Sequence, residues 1–74
     1  MEANPKYNKI ADVLKQDGRT QKWLADRMGV SANAMNNWCQ QKSQPSLERL
    51  FDMAEILKVN VFDLINAECK PDDK

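Results

Sequence analysis

The sequence predicts an all-α domain of five short helices. Three observations carry that prediction. Apolar residues cluster at spacings of three and four, the period of a helix with one buried face. Residues suited to capping a helix start, Asn4, Thr20, Ser31, Ser46 and Asn60, stand just ahead of those clusters. The chain's 2 glycines, Gly18 and Gly29, fall just past two of them, where a helix end needs a left-handed residue.

Asn4 and Pro5 open the first helix as cap and first helical residue. Tyr7, Ile10, Ala11 and Leu14 then share its inner face, and Gly18 stops it. Thr20 caps the second helix, which turns Leu24, Ala25 and Met28 inward and ends at Gly29. Ser31 caps the third only two residues later. Val30 and Met35 stand where a hydrophobic staple places them, before the cap and at the fourth helical position. Trp38, one turn beyond Ala34 and Met35, joins the buried stripe. Residues 42–45 form a polar loop. Ser46 caps the fourth helix, with Leu47, Leu50, Phe51, Ala54 and Leu57 on its inner face. Asn60 caps a short fifth helix, with Asp63 completing a variant capping box, and Val59 and Leu64 repeat the staple. The expected organisation is a flexible segment 1–4, one domain over 5–67 and a flexible tail 68–74.

Composition narrows the function. The chain of 74 residues is 42% hydrophobic and 30% charged and has no histidine, so the commonest general base and metal ligand is missing. Cys39 and Cys69 are far apart and form no CxxC pair, so no metal site is expected; they could pair as a disulfide, but two free thiols in a reducing cytosol are the expectation. No nucleophile–base pair or phosphate-binding loop stands out, so no catalytic residue, cofactor or small-molecule substrate is expected. The segment after Met1 carries Glu2, Asn4 and Lys6 rather than a signal sequence. No apolar run approaches the roughly 20 residues of a membrane span. A cytoplasmic protein is expected. Net charge is zero, but residues 1–44 hold seven Lys/Arg against four Asp/Glu, and residues 45–74 hold four against seven. A polyanion would meet the first half.

The second and third helices, over 20–28 and 31–40, have almost nothing between them, which is the helix-turn-helix layout. Ala25 lets the third helix cross closely over the second, and Gly29 accepts a positive φ at low cost. Ala32, Asn33, Asn36, Asn37 and Gln40 remain on the outer face of the third helix, without a charge among them. Amides carry donor and acceptor together and pair with adenine N6 and N7, while alanine allows close approach to a thymine methyl. Such amides could equally just solvate an exposed helix. Each Asn costs a helix a few tenths of a kcal/mol, however, so three in one short helix require a reason.

The run TQKWLADRMGVSANAMNNW, followed by QPSLERLFDMAEILKVNVFDLI, resembles the Cro and phage-repressor type of helix-turn-helix protein, also called Xre-like. The resemblance spans residues 7–66. It implies a compact five-helix lambda-repressor-like fold, binding to double-stranded DNA and a role in transcription control, usually repression of a pseudo-palindromic operator. The implied oligomer is a homodimer, which some members form only on DNA. Position by position, it implies that Ala32, Asn33 and Asn37 face base edges, with Asn36 as a neighbour able to reach a base or a phosphate. Thr20, Gln21, Lys22, Ser31, Lys42 and Ser43 are implied to contact phosphates. Contacts of the second kind position a protein on DNA and those of the first kind specify the site. Three residues depart from the pattern. Gln41 stands where glycine is usual, so the loop is expected to end differently. Ala32 replaces a side chain able to read a base, and Cys39 replaces an acid.

Other residues admit two placements. Trp38 is expected in the core. Trp23 either packs on the first helix or lies partly exposed. Val61 and Phe62 form an apolar patch suited to a dimer interface, or Phe62 folds back on the fourth helix. A different class of function also fits: an antitoxin of this fold, which would bind a toxin as partner protein, with the acidic second half and Phe62 as its contact surface.

Overall fold

The computed structural model describes residues 6–68. Four α-helices and one 3₁₀ turn follow in order: α1 (Ile10–Asp17), α2 (Gln21–Met28), α3 (Ala32–Cys39), α4 (Leu47–Leu57) and the turn Val61–Leu64. The expected Asn4-Pro5 cap and the tail from Cys69 onward lie outside the described residues.

Three predicted caps are made. Thr20 Oγ1 accepts from Trp23 N–H at 3.0 Å, Ser31 Oγ from Ala34 N–H at 3.0 Å and Ser46 Oγ from Arg49 N–H at 3.2 Å. Each satisfies one N–H that the helix leaves without a partner. Gly18 and Gly29 close α1 and α2 at φ 69° and 72°. Lys58 closes α4 in the same left-handed region at φ 59°, with no glycine to announce it.

The first helix starts later than its spacing suggests. Residues 7–9 run extended beside 64–66: Lys9 N–H donates to Leu64 O and Asn66 N–H to Tyr7 O, both at 2.8 Å, around a bridge between Asn8 and Ile65. This pairing takes Tyr7 out of the helix and leaves it 40% exposed. Asn8 Oδ1, rather than the Asn4 side chain, meets the first turn by accepting from Ile10 N–H at 3.1 Å. With Ile10 at the start, Val13 and Leu14 turn inward and Ala11 is exposed.

The predicted fifth helix is a single 3₁₀ turn, so the described residues form four α-helices, not five. Its capping is as the sequence implies: Asn60 Oδ1 accepts from Phe62 N–H at 2.9 Å, and Asp63 Oδ2 accepts from Asn60 N–H at 3.1 Å. It stops after one turn because Ile65 turns extended, at φ −110°, to meet Asn8.

On α4 the buried stripe is Met53, Ala54 and Leu57, with Leu50 half-buried. Leu47 and Phe51, predicted inside, are 65% and 55% exposed. Two adjacent stripes of α4 are apolar, and α2 and the 3₁₀ turn cover only one of them.

Each of the five elements sends one side chain fully into the core: Ile10, Leu24, Met35, Met53 and Leu64. Leu24 belongs to α2, which packs on both α3 and α4. Leu24→Ala should cost about 2–5 kcal/mol. That lowers the thermal midpoint by on the order of 10 °C or more in a domain of this size, measurable by far-ultraviolet circular dichroism.

Candidate nucleic-acid interface

The turn between α2 and α3 is built from backbone bonds. Gly29 N–H donates to Asp26 O at 3.3 Å and Val30 N–H to Ala25 O at 3.1 Å. Ala25 is buried beneath the crossing and Met35 plugs α3 from below. Trp38 is half-buried and packs against the core, as its spacing implied. The inner face of α3 is therefore committed to packing, and its outer face carries the predicted readers.

Ala32 and Asn33 are exposed, and Asn36 and Asn37 are half-buried. Gln40 Nε2 donates to Asn36 Oδ1 at 3.2 Å, one turn along the helix. This bond joins two amides into one unit, with the Asn36 Nδ2 hydrogens and the Gln40 Oε1 acceptor still available. Among the described residues, neither the Asn33 nor the Asn37 side chain has a protein partner. They stand four residues apart, hence on one face one turn from each other. Sequence spacing finds Asn33 and Asn37, but the pairing of Asn36 with Gln40 appears only in three dimensions.

The predicted phosphate contacts lie at the open ends of elements. Gln21 is half-buried in the first turn of α2, flanked by exposed Thr20 and Lys22. Thr20 takes the Trp23 N–H on its hydroxyl and the Leu24 N–H on its carbonyl. The N–H groups of Gln21 and Lys22 then face the helix opening, the place where an anion is favoured. Thr20 and Ser31 both use a hydroxyl oxygen as cap acceptor and keep the hydroxyl hydrogen as donor. Lys22 Nζ lies 3.4 Å from Asp26 in an exposed pair too weak to hold it. In the loop after α3, Lys42 and Ser43 are exposed, and their N–H groups turn back to Asn37 O at 2.9 and 3.5 Å. Gln41 does take the left-handed turn, at φ 66°, although it is not glycine.

Charge around the site is more local than the halves of the chain suggest. Lys6, Arg19 and Lys22 pair with Asp12, Asp17 and Asp26. Among the described residues, Lys9, Lys15, Arg27 and Lys42 of the basic half form no ion pair. Trp23 is half-buried, between its two predicted placements. It packs on the core while its ring meets Arg19 and Arg27, whose Cζ atoms lie 4.3 and 5.0 Å from the ring centroid. Each such cation–π contact adds about 0.5–1 kcal/mol at an exposed position. Phe62 does not fold back on α4: it is 75% exposed, beside half-buried Val61.

Cys39 is half-buried at the end of α3, and burial pushes its thiol from 9.0 up to about 11. It stays protonated at neutral pH, consistent with a plain packing thiol. The folded state keeps this proton where the unfolded chain loses it. The Cys39 contribution to stability is therefore present below pH 9.0 and is lost as pH rises toward about 11. Iodoacetamide at pH 8 should label Cys39 slowly in the folded protein and quickly in urea, read on the peptide that contains it. Equal rates would place the thiol in solvent.

No described helix is long and apolar enough to cross a membrane. Residues 10–64 match the family model described as helix-turn-helix. The crystal structure of a candidate DNA-binding protein from Bacteroides fragilis is similar, at 48% identity and a TM-score of 0.80, over 81% of this chain and 97% of that one. No curated protein matches. With the turn at Gly29, the small residue at the crossing and a match over residues 10–64, the chain belongs to the helix-turn-helix family of the Cro and phage-repressor type.

Proposed function

We propose that the protein binds double-stranded DNA sequence-specifically and acts as a small transcriptional repressor, reading a pseudo-palindromic operator through α3. The observation that carries this reading is the outer face of α3. It presents Ala32, Asn33, Asn36 and Asn37 without a charge, and among the described residues the amides of Asn33 and Asn37 have no protein partner. Charge on that face would favour binding anywhere, whereas unpaired amides favour reading base edges. The open N-terminus of α2 with Gln21, and Lys42 with Ser43 beyond α3, supply the phosphate contacts that set register. The similarity to the Bacteroides fragilis protein supports the same reading.

The active form in this reading is a homodimer through Val61 and Phe62. Phe62 stands beside a shallow groove lined by Phe51, Ala54, Glu55, Val59, Asn60 and Val61. Projection and groove on one surface suit a twofold contact, in which each copy's Phe62 enters the other's groove. Two copies of α3 would then lie about 34 Å apart, one turn of DNA. Selection of a random duplex library by the purified protein at physiological salt tests this. A twofold-symmetric site containing A·T pairs is expected; recovery of no motif overturns the reading.

The exposed apolar residues of α4 favour one other reading. Leu47, Phe51 and Phe62 are all exposed, and all lie in the half of the chain richer in Glu and Asp. An antitoxin would use such a surface for a basic toxin. Co-purification with a neighbour-encoded basic protein, together with no enriched DNA motif, would favour it over the repressor.

A further inference from the structure

Three primary amides close a ring at the base of the loop that follows α3. Asn8 Nδ2 donates to Gln44 Oε1 at 2.7 Å, Gln44 Nε2 to Gln41 Oε1 at 3.0 Å, and Gln41 Nε2 to Asn8 Oδ1 at 3.2 Å. Each amide gives one hydrogen and receives one, so the ring runs in a single direction and each bond polarises the next. Asn8 is only 3% exposed, and its Nδ2 also donates to Trp38 O at 3.0 Å. Gln41 Oε1 further accepts from Tyr7 and Asn8 N–H at 3.0 and 3.4 Å, and its Nε2 reaches Asn8 O at 3.0 Å.

Lys42 and Ser43 stand between two members of this ring. The ring thus holds both ends of the short segment that carries them and ties it to the start of α1 and the end of α3. Gln41 is also the residue at φ 66°, a conformation that costs a side chain about 1–2 kcal/mol and costs glycine little. A glycine here would make the same turn without strain. It would also forgo every bond of the Gln41 side chain.

We infer that Gln41 is a positioning residue for DNA binding: through the ring with Asn8 and Gln44 it sets Lys42 and Ser43 in place before the phosphate backbone arrives. This rests on the DNA-binding reading above. The ordering of the loop is met during folding, so binding does not have to oppose it.

The test compares wild type with Gln41→Gly, which keeps the turn and opens the ring, and with Gln44→Ala, which opens it from the other side. Circular dichroism confirms that each variant folds. In the free protein, the Lys42 amide should exchange faster with solvent in both variants. On the duplex recovered from the library, loss of the Lys42 phosphate contact should weaken binding about tenfold. The slope of log affinity against log salt should fall by about one, as it does when one phosphate is no longer neutralised by the protein. Lys42→Ala should weaken wild type clearly and Gln41→Gly hardly at all, because the ring acts through Lys42. Equal losses from Lys42→Ala in both backgrounds, or unchanged Lys42 exchange, would overturn the inference while DNA binding stands. Failure of the wild-type protein to bind any duplex would overturn the DNA reading and the inference together.

Discussion

Replacing Asn33 and Asn37 together by alanine is expected to weaken binding to the selected operator by roughly 30-fold or more per half-site, because each bidentate amide–adenine pair discriminates by about 1–3 kcal/mol. Binding to scrambled duplex should hardly change. The two effects separate because neither amide bonds to the rest of the described protein, so its removal breaks no internal hydrogen bond. Alanine is also the better helix former by a few tenths of a kcal/mol at each site, so α3 should not loosen. The phosphate contacts stay in place, and the dependence of affinity on salt should keep its slope. Fluorescence anisotropy on both duplexes at several salt concentrations measures all of this. A uniform loss on both would mean that the amides of α3 do not read bases.

Phe62→Ala is expected to break the proposed dimer with little effect on the fold. At 75% exposure the ring contributes little to the core of its own chain. In a twofold contact the substitution counts twice, since each copy loses its projection and each groove its occupant. A central aromatic anchor contributes about 2 kcal/mol or more when truncated. Two of them shift the dimer dissociation constant by about a thousandfold. Sedimentation with and without operator DNA reads the oligomeric state directly. The variant should be monomeric alone and should bind the full operator no better than a half-site. If oligomeric state and DNA affinity both stay as in wild type, Phe62 takes no part in assembly. The exposed Leu47, Phe51 and Phe62 would then be a surface for a different protein.

Most of what positions α3 is written locally. Thr20 and Ser31 each bond to the N–H three residues on, and Gly18 and Gly29 each take the left-handed turn at their own position. The staple residues Val30 and Met35 lie close on either side of the Ser31 cap. Interactions of this range depend on residue type and short spacing, so they are legible in a single sequence. The outer face of α3 follows from them: once Met35 and Trp38 are inward, Asn33 and Asn37 are left on the other side.

The elements that depart from expectation all depend on residues distant along the chain. Tyr7 fits a helical stripe with Ile10 and Leu14, yet pairing with 64–66 pulls it out of α1. The same pairing ends the last turn at Leu64. Leu47 and Phe51 fit the apolar spacing of α4 as well as Met53 does. Only the position of α2 and the 3₁₀ turn decides which stripe is covered.

Residue type at short spacing is thus enough to specify the two helices of the helix-turn-helix, their caps, the tight turn and the amide face of α3. The hydrogen bonds and backbone preferences behind them act within a few residues. The start of α1, the bare stripe of α4 and the left-handed turn at Gln41 arise only in the packed chain. Asn8 meets Gln41 and Gln44 across 33 and 36 residues of chain. No local preference encodes such a meeting; it follows from the packing of the core that brings the start of α1 against the loop after α3.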